Sequence, residues 1–287
     1  MRTFPLVCLF TIGYLSGPAN AQSACNRECL RETLTRYFDA MVGHKPELLH
    51  VAANVRSTED GVDRKLGEGL WKTITQVLPY RWDILDVRQG VAGAHVVVEA
   101  EGAPALFVVR LKVVGSMITE IETLVVHNQT EGMIYKVDAL KTPSEAMTKL
   151  PEPSSLMSRK DMTGAAMRYP QGLKTGSFVK VDAPFAADAY RFENGQLMAG
   201  PGCTFFAGCE NIKTQKLPTL SELTGRVVAV DEEARIVWLQ MNFGKGSLIG
   251  RDGTLLVFEA FKVYGGQIHA VEAFMKAMPV GTKSGWD

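Results

Sequence analysis

Residues 106–124 read LFVVRLKVVGSMITEIETL, and residues 256–274 read LVFEAFKVYGGQIHAVEAF. The two stretches align without a gap at an offset of 150 residues. Each holds an apolar strand, a Lys-Val pair, a glycine turn and a second strand ending near a glutamate, Glu122 or Glu272. Duplication at this period predicts two copies of one domain rather than one large core. One copy then serves as a control for the other: shared residues report the fold, and differing residues report function.

The N-terminus reads as a leader. Arg2 precedes an apolar run from Phe4 to Leu15, followed by Ala19-Asn20-Ala21, a small-residue cleavage signal. Residues 1–21 are therefore expected to be a signal peptide, and the mature chain to be exported, periplasmic or secreted. The run is too short to span a bilayer as a helix, so no membrane association is expected of the mature form. Cys8 leaves with the leader, and Cys25, Cys29, Cys203 and Cys209 remain. Four cysteines in an oxidising compartment read as disulfide candidates, with three possible pairings. The local pairing, Cys25 with Cys29 and Cys203 with Cys209, is the simplest. It requires one of Cys25 and Cys29 to lie just outside a regular helix. No histidine sits at ligand spacing near either pair, so no metal site is expected. Formal charge is zero and no basic run exists, which argues against a nucleic-acid partner.

Two modules can be placed along the chain. The first, residues 25–140, opens with a helix from Arg27 to Val42, on which Leu30, Leu34, Tyr37, Phe38 and Met41 form an apolar stripe. A loop carries Arg56 to Gly61, and a second helical stretch holds Leu70, Trp71, Ile74 and Val77. Strands are expected near Trp82–Gln89, Ala94–Glu101, Leu106–Val114 and Ile118–Val126. Residues 141–155 are rich in proline and serine and read as a linker. The second module, residues 156–287, opens with a helix from Leu156 to Arg168 and a loop from Tyr190 to Gly195. Its strands lie near Gly225–Asp231, Arg235–Phe243, Leu255–Tyr264 and Ile268–Phe274. Helices followed by a long meander, twice over, define an α+β fold.

On this pattern the chain resembles the SnoaL-like, nuclear transport factor 2-like superfamily, and within it a two-module secreted branch found in fungi and bacteria. The matching residues are Cys25-Asn26-Arg27, Thr58-Glu59-Asp60-Gly61, Arg110-Leu111-Lys112-Val113 with Ile118-Thr119-Glu120-Ile121-Glu122, Arg191-Phe192-Glu193-Asn194-Gly195, Val230-Asp231-Glu232-Glu233 and Ser284-Gly285-Trp286. The resemblance implies two tandem cones, each a curved antiparallel sheet wrapped on helices around a pocket. It also implies a possible homodimer through sheet faces. Superfamily relatives include isomerases, cyclases, epoxide hydrolases, dehydratases and non-catalytic binders. Relatives often carry an arginine pair before the Val-Val-x-Asp stretch; here Arg226 stands alone.

The hairpins carry the candidate chemistry. Strand alternation puts Phe107, Val109, Leu111 and Val113 on one face, expected to line the pocket, with Arg110 and Lys112 on the other. A two-residue turn at 115–116 would set Val109 opposite Glu122 and Leu111 opposite Glu120, so both glutamates would point into the pocket. In the second copy the same arithmetic sets Glu259 opposite Glu272, where the first copy has a valine at the Glu259 position. Facing carboxylates on an apolar surface should share a proton or hold a cation, giving an acid and a base at neutral pH. A one-residue bulge would instead rotate one of them away, or Arg191 or Arg226 would simply pair with one.

Arg56 with Glu59, and Arg191 with Glu193, recur in both copies and suit either an arginine–carboxylate bond that fixes a loop or a pocket role. His50 is the best placed histidine; His127 and His269 fall on the non-pocket face. Triad, phosphate-loop and metalloprotease motifs are absent. Tyr37 and Trp71 read as core. The sequence thus supports two functions. One is an exported, cofactor-independent isomerase, lyase or hydrolase acting on a small apolar or aromatic molecule, with Glu259 and Glu272 catalytic. The other is a non-catalytic protein that binds a ligand or docks a partner.

Overall fold

The computed structural model describes residues 25–248 and 252–286. The expected leader, residues 1–21, lies outside the described residues. The first helix, α1, runs Arg27–Val42, as its apolar stripe requires. Asn26 caps it by accepting the Cys29 N–H through its side chain. Cys25 therefore sits outside the helix, within reach of Cys29, and the two are bonded. Cys203 and Cys209 form the other disulfide.

Two six-stranded mixed sheets dominate, and helices are a minor part. The first sheet comprises β1 (Val51–Glu59), β2 (Val62–Asp63), β3 (Ile74–Asp86), β4 (Val91–Ala100), β5 (Ala103–Val114) and β6 (Met117–Val126). The second comprises β7 (Phe185–Glu193), β8 (Gln196–Ala199), β9 (Thr224–Asp231), β10 (Ile236–Asn242), β11 (Thr254–Tyr264) and β12 (Gln267–Met278). Strand order is β2-β1-β6-β5-β4-β3 in one and β8-β7-β12-β11-β10-β9 in the other. The topologies are identical: β1 joins β6, and β7 joins β12, in parallel, and every other pair is antiparallel. The remaining helices are short: α2 (Gln129–Gly132), α3 (Glu145–Thr148), α4 (Arg159–Ala166) and α5 (Arg168–Thr175).

Three expectations are corrected. Residues 56–59 and 190–193 are strand, not loop, because β6 and β12 offer a free edge to pair with. Leu70 and Trp71 lie on a 3-10 turn at Gly69–Lys72, while Ile74 and Val77 belong to β3. The expected helix from Leu156 is two short helices, starting at the Ser158 cap.

Each sheet has an inner face covered by its own helices. Phe107, Val109 and Leu111 pack with Leu34, Tyr37 and Phe38 of α1. Val257, Phe261 and Val271 pack with Met162, Tyr169 and Leu173 of α4 and α5. The outer faces pack on each other and form a third core, in which Trp82, Val108 and Leu124 meet Trp238, Phe258 and Phe274. Each half keeps an inner core of its own, and the third core is shared between them. Strands β4, β5, β11 and β12 are apolar on both faces, and a half made alone would expose one of those faces to water. The outer sheet faces are buried against each other within one chain.

The linker is not a free tether. Lys262, on the outer face of β11, donates through Nζ to the carbonyls of Met147 and Lys149 at 3.3 and 2.6 Å. Ser144, the cap of α3, reaches Glu272 on β12.

Candidate functional site

Strand register decides which side chains can meet. In the first hairpin Val113 pairs with Ile118 but Lys112 pairs with Glu120, leaving Thr119 as an extra residue. In the second, Val263 pairs with Ile268 but Lys262 pairs with Ala270, leaving His269 over. Each bulge moves the rest of its strand to the opposite face. Glu122 consequently stands opposite Arg110 rather than Val109, and Glu120 opposite Lys112. Glu259 pairs with Ala273, and Glu272 with Ala260. Glu259 keeps the inner face, as expected; Glu272, Glu122 and Glu120 are on the outer one. The facing glutamate pair is therefore corrected: the two carboxylates lie on opposite sides of one sheet.

Inside the second sheet, Glu259 is 1% exposed and stands with Tyr169 of α5, Arg191 and Glu193 of β7, and Gln215. The Tyr169 hydroxyl lies close to the Glu259 carboxyl and lowers its pKa. Arg191 Nη1 donates to the Tyr169 hydroxyl at 3.3 Å, and Nη2 to Gln215 Oε1 at 3.3 Å. Arg191 Nε lies 2.8 Å from Glu193. Desolvation, and then the Glu193 charge, push the Glu259 pKa up to about 8, against the lowering effects of Arg191 and Tyr169. Glu259 Oε2 has no hydrogen-bond partner. A buried polar atom left bare is costly, which makes this oxygen a candidate contact for a ligand or water. Leu239, the register partner of Glu259 on β10, also lines a cavity of about 220 Å³ with Met167, Pro170, Lys174 and Met241. None of Glu259, Tyr169, Arg191 and Gln215 lines that cavity, whose walls are mainly apolar with Lys174 among them.

The first sheet holds a reduced version of the same arrangement. Glu59 is on the inner face near Tyr37, as Glu193 is near Tyr169. Its carboxylate accepts the Leu70 N–H at 3.0 Å, and burial raises its pKa. Ser57 occupies the register position of Arg191, since Ser57 pairs with Ile121 and Arg191 with Val271. Arg56 is thus not the counterpart of Arg191. It points outward, stacks over the Trp286 ring at 4.3 Å and hydrogen-bonds the Gly285 carbonyl.

The remaining residues singled out in the sequence are scattered. Glu122 is clamped between two arginines, with Arg226 Nη2 at 2.5 Å and Arg110 Nη1 at 3.6 Å. Desolvation nonetheless raises its pKa. Glu120 bonds Arg110 at 2.5 Å. Arg226 therefore crosses from one half to the other rather than serving Glu259 or Glu272. His50 sits on a surface groove and meets the Ser116 carbonyl at 3.2 Å, apart from both interiors. His127 pairs with Glu131, and His269 stacks flat on Tyr264.

Glu272 lies in a second enclosed place, between the sheets. Its Oε1 accepts from Ser144 at 2.5 Å and Tyr190 at 2.9 Å, and its Oε2 from Tyr80 at 3.1 Å. Beside it His95, fully buried, accepts from Trp238 Nε1 at 3.0 Å and is flanked by Trp82 and Phe274. Burial lowers the His95 pKa to about 3, so the ring is neutral. Sequence reasoning missed Tyr169, Gln215, Tyr80, Ser144 and His95. Only Tyr169 had a usable signal, its correspondence with Tyr37 on the opening helix of the other copy. Among the described residues no group of three or more His, Cys, Asp or Glu is arranged to hold a metal ion.

A family model described as a domain of unknown function, DUF8021, matches residues 155–275. No curated protein matches the chain. Similar solved structures include a de novo designed protein with a curved β-sheet, at 19% identity over 35% of this chain and 87% of that one, with a TM-score of 0.29. PrhC from Penicillium brasilianum matches at 12% identity over 41% of this chain and 81% of its own, with a TM-score of 0.26. A candidate ketosteroid isomerase from Kribbella flavida matches at 16% identity over 44% and 92%, with a TM-score of 0.26. Each covers most of the other chain and less than half of this one, and scores this low carry no argument about function.

Proposed function

We propose that the second half of the chain is a small-molecule site that moves protons without a cofactor, acting on an apolar or aromatic compound as an isomerase, lyase or hydrolase. The observation that carries this reading is Glu259. It is a buried carboxyl whose pKa burial pushes up to about 8, with one bare oxygen, beside Tyr169 and the Arg191 guanidinium. A carboxyl group with a pKa near the working pH can both give and take a proton. Arg191 supplies a fixed positive charge where negative charge would develop on the substrate. The first half has valine where Glu259 stands and serine where Arg191 stands, so the chemistry belongs to the second half alone. Glu272 serves elsewhere. The two disulfides and the leader-like N-terminus support an exported protein.

The test uses solvent deuterium. The protein is incubated in heavy water with a panel of small apolar and aromatic carbonyl compounds, whose exchangeable protons report proton transfer by mass spectrometry. The expected result is deuterium incorporation by the wild type and its loss in Glu259→Gln. Saturable binding without exchange by any compound would overturn the enzyme reading. It would favour the alternative, a non-catalytic binder.

A further inference from the structure

The chamber between the two sheets has a chemistry of its own, unrelated to Glu259. Its volume is about 160 Å³, roughly five waters at about 30 Å³ each. Tyr80, Phe192 and Phe274 form its aromatic walls, and Glu272 and Ser144 its polar end. Tyr80 and Phe274 are stacked with ring centres 6.1 Å apart, and Phe192 stands edge-on to Tyr190 at 5.2 Å. The chamber reaches solvent at Thr142, which is exposed.

The sign of the ligand follows from where the protons are. The hydroxyls of Tyr80, Tyr190 and Ser144 all lie within donating distance of the Glu272 carboxylate. Their hydrogens are committed, so what remains toward the chamber is oxygen lone pairs, aromatic side chains and carboxylate charge. An anion would meet only repulsion there. None of the ion pairs among the described residues supplies Glu272 with a cation. Lys262, on the same face of the sheet, is engaged with the carbonyls of Met147 and Lys149 instead. A desolvated carboxylate without a counter-ion, lined by aromatic side chains, suits an organic ammonium group, which supplies the missing charge on a largely apolar body.

We infer that this chamber binds a small organic ammonium ion, with Glu272 as its counter-ion and Tyr80, Phe192 and Phe274 as its cage.

Choline and its uncharged carbon analogue, 3,3-dimethylbutan-1-ol, differ in charge and scarcely in shape. Titration calorimetry of the full mature chain with each is the test. Choline is expected to bind about tenfold or more tightly than the analogue, the ratio a desolvated cation–π and ion-pair contact confers. Glu272→Gln should remove that preference while Glu259→Gln leaves it intact, which separates this site from the acid–base one. Phe192→Leu, which changes a half-buried wall, should weaken choline and spare the alcohol. Equal affinity for the two probes in the wild type, or no choline binding by folded protein, would overturn the inference. So would a choline preference that survives Glu272→Gln.

Discussion

Arg27, in the first turn of α1, makes a two-pronged ion pair with Asp231, at the end of β9 in the other half of the chain. Nη1 and Nη2 lie 2.7 and 3.0 Å from the two carboxylate oxygens. The same bond recurs in reverse: Arg159, opening α4 of the second half, grips Asp86 at the end of β3 in the first. Even the backbone contacts are exchanged. Leu85 N–H donates to Asp231, and Val230 N–H to Asp86. Contacts exchanged in both directions are the mark of a two-fold interface, here built inside one chain.

These clasps should be stabilising and coupled to the docking of the halves. Asp231 is fully buried in its side chain and Arg27 only 20% exposed. Removing one partner of such a pair costs about 3–5 kcal/mol. Arg27→Ala is expected at the low end, since Asp231 retains the Leu85 and Ala234 N–H donors. Urea unfolding of Arg27→Ala, Asp231→Asn and the double variant would show strong non-additivity. Additive losses would mean the pair does not act as a unit.

Gly93 reports on the third core. A Cβ there would lie 2.3 Å from Trp238 Cζ3 and 2.7 Å from Cη2. Gly93→Ala should destabilise by about 1–3 kcal/mol through overpacking, and Trp238→Phe should recover part of that loss in the double variant. Thermal melts of the four proteins would decide it. No recovery would place the two residues out of contact.

The halves should not fold alone. Residues 25–140 and 156–287, produced separately, would each expose an apolar outer sheet face and one unpaired buried carboxylate, Asp86 or Asp231. Each fragment is expected to be aggregated or to lack a cooperative melt by circular dichroism, and mixing from denaturant should restore the native spectrum. A cooperative melt from a monomeric fragment would contradict the shared core.

Glu259 makes stability fall with pH. Its pKa is about 8 in the folded protein against an ordinary 4.5. Between those values the folded state holds a proton that the unfolded chain has released, so stability declines as pH rises, then levels off above the folded pKa. The decline is up to about 1.4 kcal/mol per pH unit for one such group. Urea midpoints of wild type and Glu259→Gln from pH 5 to pH 9 should diverge, with the variant less sensitive. Parallel curves would mean that Glu259 titrates normally.

Peptide mapping without reduction should recover Cys25 joined to Cys29 and Cys203 joined to Cys209, with no free thiol on these four. Reduction should cost about 2 kcal/mol per bond, the low end for disulfides, because both close short loops. Four titratable thiols would contradict an oxidising compartment.

The sequence by itself determined the duplication, helix α1, the hairpins and the inner-facing position of Glu259, because these depend on local periodicity and on repetition within the chain. It also placed Phe107, Val109 and Leu111 on the core face, since β5 alternates without interruption up to Lys112. The face of Glu272 was not legible. It depends on the extra residue at His269, and a bulge leaves no mark in hydrophobic alternation while reversing every side chain after it. The parallel strands β1 and β7 were hidden for a related reason: β6 and β12, which they join in parallel, lie far along the chain, and their own patterns are too mixed to announce a strand. Only the tertiary structure decided that the outer faces belong to each other, that Arg226 reaches Glu122 across the halves, and that Tyr80, Ser144 and Glu272 enclose one chamber. Those contacts join residues far apart in sequence, and the energy that selects them comes from burying two apolar faces at once, which neither copy of the repeat encodes alone.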